Sequence, residues 1–176
     1  MTKTAPSQSK LIQVYRALAV VLFLATASMS GARLGLAQGG HNADTKMRAV
    51  NPPGANIPGI SQAMAVESGR LVFLSGHVPL KSDGSVVGPG LEAQLEQVFS
   101  NIRTTLAAAG ADFSNVARLT IYIRDYRPED LPTIRNVRDR FVNTRNPPAS
   151  ALVGVSALFR DNVRVEVDAI AVLATD

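Results

Sequence analysis

The 176-residue chain contains no cysteine. Thiol nucleophiles, cysteine-ligated metal sites, disulfides and a cysteine-borne lipid anchor are therefore excluded, and stability must come from the core and from subunit contacts. Histidine is nearly as scarce. Only His41 and His77 occur, too few for a histidine-rich metal centre, and no residues have zinc-ligand spacing. Nucleophile elbow, P-loop and dinucleotide fingerprint are all missing, as are internal repeats and low-complexity tracts. No metal and no cofactor is expected. The apolar run at residues 17–27 is also well short of the ~18–20 residues that a membrane-spanning helix needs.

That run does have a setting. Lys3, Lys10 and Arg16 precede it, and Gly35-Leu36-Ala37 follows with small residues at both key positions before Gln38. A basic start, a short apolar stretch and a small-residue site together describe a secretory signal peptide. The expected division is a signal peptide at 1–37, a linker or extended arm at 38–58, and one folded domain at 59–176. The expected location is periplasmic or secreted, with no membrane contact after cleavage. Two other readings stay open: an uncleaved anchor, or translation from Met47, which would give a cytoplasmic protein.

Cleavage changes the charge argument. The chain has 18 basic and 14 acidic residues, and the segment 1–37 holds four basic residues and no acid, so 14 of each sign remain. The formal net charge of +4 thus belongs to the leader, and it is no evidence for an anionic partner.

Within the folded part, residues 61–69 and 70–78 read as a β-hairpin turning at Ser68-Gly69. Leu91, Leu95, Val98, Phe99, Ile102 and Leu106 recur at helical spacing, which predicts an amphipathic helix stopped near Gly110. Residues 115–125 alternate as a strand, with Leu119, Ile121 and Ile123 on one side and Arg118, Thr120, Tyr122 and Arg124 on the other. Pro128-Glu129-Asp130 opens a second helix, expected to run to about Asn143 and to bury Leu131, Ile134, Val137 and Phe141. Strands at 149–159 and 163–174 complete a ββαβαββ order. This is an α+β fold, one sheet with both helices on one face. The other face would carry Arg118, Tyr122, Arg124, Arg164, Glu166 and Asp168. It is too charged for a monomer core, so it is read as a subunit interface.

Several short stretches then carry a likeness. Ser61-Gln62-Ala63, Ser75-Gly76-His77-Val78-Pro79, Pro148-Ala149-Ser150-Ala151 and Val165-Glu166-Val167-Asp168-Ala169 together resemble the RidA/YjgF family over roughly residues 48–174. The resemblance implies a chorismate-mutase-like fold, a homotrimer, and small-molecule pockets between subunits. In the better-known members these pockets hydrolyse reactive enamines and imines to ketoacids and ammonia. Carried over by position, Glu166 stands where the deaminases have the acid that activates water, and Ser75 and Gly76 match. Ile60 replaces a pocket tyrosine, Arg135 falls near a helical asparagine, and Leu152 replaces a cysteine. Ser150 replaces the arginine that binds the substrate carboxylate.

The last change has a physical consequence. A serine hydroxyl cannot replace a bidentate guanidinium fork. Losing such a charge-assisted pair costs about 1.5–3 kcal/mol, or one to two decades in affinity. An uncharged or aromatic ligand is therefore expected in a more apolar pocket.

Each residue also has a structural reading beside the functional one. Glu166 either polarises a water or pairs with Arg118 or Arg164 across the sheet. Ser150 either binds ligand or caps a turn after Pro148. His77 either reaches the pocket or is structural. Arg135, Arg138, Arg140 and Arg145 are read as a solvated helix face with Glu129, Asp130 and Asp139, and no nucleic acid is expected. The function that follows is a small-molecule hydrolase using Glu166. The alternative is a non-catalytic trimeric binding module of the same fold.

Overall fold

A computed structural model describes residues 46–55 and 57–175, all within one compact unit at Gly39–Asp176. The readings made for the leader, the cleavage site and His41 lie outside the described residues.

The helices form where the apolar spacing places them. Helix α1 spans Leu91–Ala108 and buries Leu91, Leu95, Val98, Phe99, Ile102 and Leu106. Gly110 ends it in the left-handed region (φ 75°). There the Gly110 N–H donates to the Ala107 carbonyl, and the Ala111 N–H donates to that of Leu106, satisfying two otherwise orphaned carbonyls.

Helix α2 is shorter than the sequence suggests. A 3-10 turn occupies Pro128–Asp130, and the α-helix covers only Leu131–Asp139. Beyond it the chain tightens, with Phe141 N–H donating to Arg138 O at 2.9 Å. The Asn143 side chain then accepts from the Arg145 and Asn146 N–H groups and opens a turn. Phe141 leaves the helix yet still stacks on Phe99 at 5.2 Å, and both rings touch Phe113.

The main sheet has four strands: β3 (Arg70–His77), β4 (Val116–Arg124), β5 (Ala149–Val155) and β6 (Val165–Leu173). Their order is β3-β6-β4-β5, antiparallel except for the parallel pair β4–β5. Along β6, Val165, Val167, Ala169 and Ala171 are buried in the core beneath the helices. Glu166, Asp168 and Ile170 alternate with them and point to the opposite, open face. The α+β architecture with two helices over one face is the one expected.

One expectation needs correction. Within the 38–58 segment, β1 (Lys46–Val50) pairs antiparallel with β2 (Ala63–Ser68) as a separate two-stranded ribbon. The 61–78 segment is therefore not a hairpin. Only Gly69 separates β2 from β3, and its φ of 126° turns the chain from the ribbon into the main sheet. A single residue bends the chain but cannot close a two-stranded turn.

The aromatic cluster is the densest part of the core. Phe99 is completely buried, so Phe99→Ala should lower the unfolding free energy by about 3–5 kcal/mol, read as a shift of the urea midpoint at unchanged slope.

Candidate functional site

The residues singled out from the sequence fall into two groups on opposite faces of the sheet. In the parallel pair, Ser150 stands beside Leu119 and Leu152 beside Ile121, and Leu119 and Ile121 are core residues facing the helices. Ser150 and Leu152 therefore share that side. In the antiparallel pair, Glu166 stands beside Tyr122 and Asp168 beside Thr120, one residue out of phase with the core positions. Glu166 accordingly belongs to the open face. Within one chain, Ser150 and Glu166 do not share a site.

The first group lines a groove of about 180 Å³ between β5, α2 and the segment before β2. Its walls are Ile57, Pro58, Ile60, Ile121, Leu131, Ile134, Arg135, Arg138, Ser150 and Leu152. Helix α2 contributes Leu131, Ile134, Arg135 and Arg138, a spacing that puts all four on one helical stripe. Ser150 lies within strand β5 and caps no turn. The turn contacts are made instead by Ser61, whose hydroxyl donates to Pro147 O at 2.7 Å and whose N–H donates to Pro148 O.

The arginines of α2 do not form the uniform solvated face expected. Arg138 is buried, donates to Asp139 through Nε at 2.8 Å and forms an ion pair with it through Nη2. Its Nη2 also reaches Pro58 O. A Cβ at Gly59 would lie 2.8 Å from Asp139 Oδ1 and 3.1 Å from Arg138 Cζ, and Gly59 has a φ of 75°. Only glycine fits against this pair. Arg140 bridges to Glu92 and Glu96 on α1. Arg135 is exposed and has no ion-pair or hydrogen-bond partner among the described residues. The sequence hinted at Arg138 only through its i+7 spacing from Leu131.

The second group sits around a β-bulge. Leu74 pairs with Ala169 and His77 with Val167, so Ser75 and Gly76 together oppose Asp168. The bulge brings Gly76 against Glu166, and a Cβ on Gly76 would lie 2.8 Å from Glu166 Cδ. The half-buried Glu166 has no salt bridge or hydrogen bond among the described residues. Arg164, one of its expected cross-sheet partners, pairs with Asp130 instead.

His77 does not reach the groove. Its Nδ1 lies 2.7 Å from Ser75 O and its Nε2 2.8 Å from Thr105 Oγ1, which ties the bulge to α1. A larger, shallow depression beside α1, about 660 Å³ and lined by Lys81, Gln97, Asn101 and Thr104 among others, contains none of the residues singled out. The Asn101 amide there is already engaged with Val78 O and Leu80 O.

The α+β fold is shared with known proteins. Residues 56–173 match the family described as endoribonuclease L-PSP, and the chain belongs to this family, the RidA/YjgF proteins. It is 44% identical over 113 residues to protein DfrA of Myxococcus xanthus, covering 64% of this chain and 83% of that one. It is 33% identical to the 2-iminobutanoate/2-iminopropanoate deaminase of Dermatophagoides farinae, covering 72% and 96%. Among solved structures, the Rid-family protein YyfB of Yersinia pestis aligns with a TM-score of 0.68 at 32% identity, over 72% of this chain and 98% of that one. E. coli TdcF with bound serine aligns at 0.54 and 27% identity, over 72% and 94%.

Tyr122 engages the second open-face acid, Asp168. Its hydroxyl donates to Asp168 Oδ2 at 3.1 Å, and this bond, reinforced by the carboxylate's charge, raises the phenol above its ordinary value. Stability from the bond is complete below the ordinary tyrosine range and fades as pH rises through the raised value. In a spectrophotometric titration of tyrosinate, Asp168→Asn should move one tyrosine to lower pH; an unchanged curve would remove this role for Asp168.

Proposed function

We propose that the protein is a self-associating hydrolase of reactive imines and enamines, with its site completed between subunits. The observation that carries this reading is Glu166, a half-buried carboxylate without an internal partner, set against Gly76 at a bulge. A carboxylate left unpaired at an interface is available to take a proton. The names of deaminase relatives from mite, human and mouse support the reaction class.

The chemistry asked of Glu166 is modest. Its carboxylate takes a proton from water as the oxygen bonds to the imine carbon, and the C=N π pair moves to nitrogen, which then takes that proton from Glu166 and restores the carboxylate. The resulting carbinolamine loses ammonia as its hydroxyl proton is returned through Glu166, the C–N bond breaks and the C=O bond forms. An enamine enters the same sequence after protonation at carbon. No cofactor is required for these steps.

Opposite-face placement requires a second chain. A ligand in the groove of one subunit can meet Glu166 only if a neighbour's open face comes against the β5 edge. The open face is suited to being covered. Phe73 is 71% and Leu71 52% exposed there, and Val153 on β5 adds to the apolar area. A homotrimer is the proposed assembly. Light scattering should report three copies, and Phe73→Asp should dissociate them; a wild-type monomer would sink the shared-site reading.

Ammonia release from imines generated in situ tests the catalytic part. Glu166→Gln should lower turnover by about 10²–10⁴-fold, and Gly76→Ala should approach the same loss by displacing the carboxylate, with the trimer kept in both. Silence from the wild type across charged and uncharged imines would favour the second reading, a ligand-binding trimer without catalysis. Ser150 in place of the family arginine is the observation on that side.

A further inference from the structure

Ser150 by itself points to a ligand without charge, because it removes the strand arginine from β5. The groove, however, is not left without a cation. Two guanidinium groups line it, and they differ in one decisive respect. Arg138 is neutralised by Asp139 and braces the Pro58 carbonyl. Arg135, one helical turn earlier on the same stripe, lies at the exposed edge with no partner among the described residues. The groove therefore carries one uncompensated positive charge at its mouth.

The rest of the lining specifies the other end of the ligand. Ile57, Ile60, Ile121, Leu131, Ile134 and Leu152 form an apolar floor and wall. Ser150 is small enough to leave the β5 side open. A singly charged anion at the mouth balances Arg135, and an apolar body fills the interior of about 180 Å³. A phosphate, with close to two charges, would leave the site over-compensated and would bring no apolar body.

We infer that Arg135 takes over carboxylate recognition from the helix side of the groove, and that the ligands are monocarboxylates with a branched or aromatic apolar body. This rests on the reading that the groove is the small-molecule half of the site. Arg135 is a specificity-determining residue in this scheme and takes no part in proton transfer. A guanidinium on α2 approaches the ligand from a different wall than one on β5, so the carboxylate is held at the mouth with its side chain directed inward. Bulk that a strand arginine would exclude is admitted.

The test is binding without turnover. Ketoisocaproate, an apolar oxo acid with no imine to hydrolyse, would be titrated into the assembled wild-type protein by calorimetry or NMR, beside its methyl ester and pyruvate. The acid should bind at least about tenfold more tightly than either comparison ligand. Arg135→Gln should weaken acid binding by about ten- to a hundredfold and leave the ester unchanged. Arg135→Lys should recover part of the loss, since charge returns without the fork. Adding Ser150→Arg to Arg135→Gln should recover acid binding by restoring a cation from the strand.

Equal binding of acid and ester, an acid affinity indifferent to Arg135→Gln, or no binding by the wild type would each overturn the assignment. An unchanged urea midpoint for Arg135→Gln shows that the fold is intact. If no ammonia is released but Arg135-dependent binding persists, the hydrolase reading fails and this one stands.

Discussion

Side-chain alternation along β5 and β6 is the constraint on which the rest of the molecule depends. Val165, Val167, Ala169 and Ala171 must face the helices for the core to close, and that commitment sends Glu166 and Asp168 to the other side. The same argument on β5 turns Ser150 and Leu152 toward α2, because they align with Leu119 and Ile121. A one-residue slip of β6 would exchange its faces and bury Glu166 and Asp168 in the core, at a cost no local contact could offset. The separation of Ser150 and Glu166 onto opposite faces within one chain is thus a consequence of folding. Any chemistry that needs both must recruit a second copy.

Two local devices refine this frame. The bulge at Ser75-Gly76 gives β3 one extra residue opposite Asp168, and glycine there lets Glu166 lie against the backbone. On the groove side, the left-handed Gly59 leaves room for the Arg138–Asp139 pair, of which Arg138 is buried. That pair fixes the chain before β2 to α2 and leaves the groove wall preformed. One arginine of α2 is consumed by structure, and the neighbour one turn away is exposed with no partner among the described residues. Two arginines three residues apart have different surroundings, because only Arg138 is desolvated beside an acid.

Much of the architecture was legible in the residues. The spacing of Leu91 to Leu106 marked α1, since an amphipathic stripe records which face is buried. The alternation of 115–125 marked β4 for the same reason. Short motifs around Ser75, Pro148 and Glu166 pointed to the family that the later comparison established. Other features left no local trace. Strand β1 lay in a stretch rich in Pro, Gly and Asn and pairs with β2 only through long-range hydrogen bonds. The end of α2 was set by the Asn143 turn rather than by an apolar break. Burial of Arg138 depended on Gly59 arriving beside it from far away in the chain.

The sequence by itself determined most of the element types, the helix-facing residues, the absence of thiol chemistry and the presence of a candidate acid at Glu166. The first three follow from periodicity and composition, which are local properties of the chain, and the candidate acid follows from the resemblance of its motif to the family. The tertiary structure alone decided which strands pair, that Ser150 and Glu166 lie on opposite faces, and that Arg138 is engaged while Arg135 is not. Those outcomes are fixed by strand register and by contacts between segments dozens of residues apart. No local pattern encodes the partner that a side chain meets once distant segments pack together.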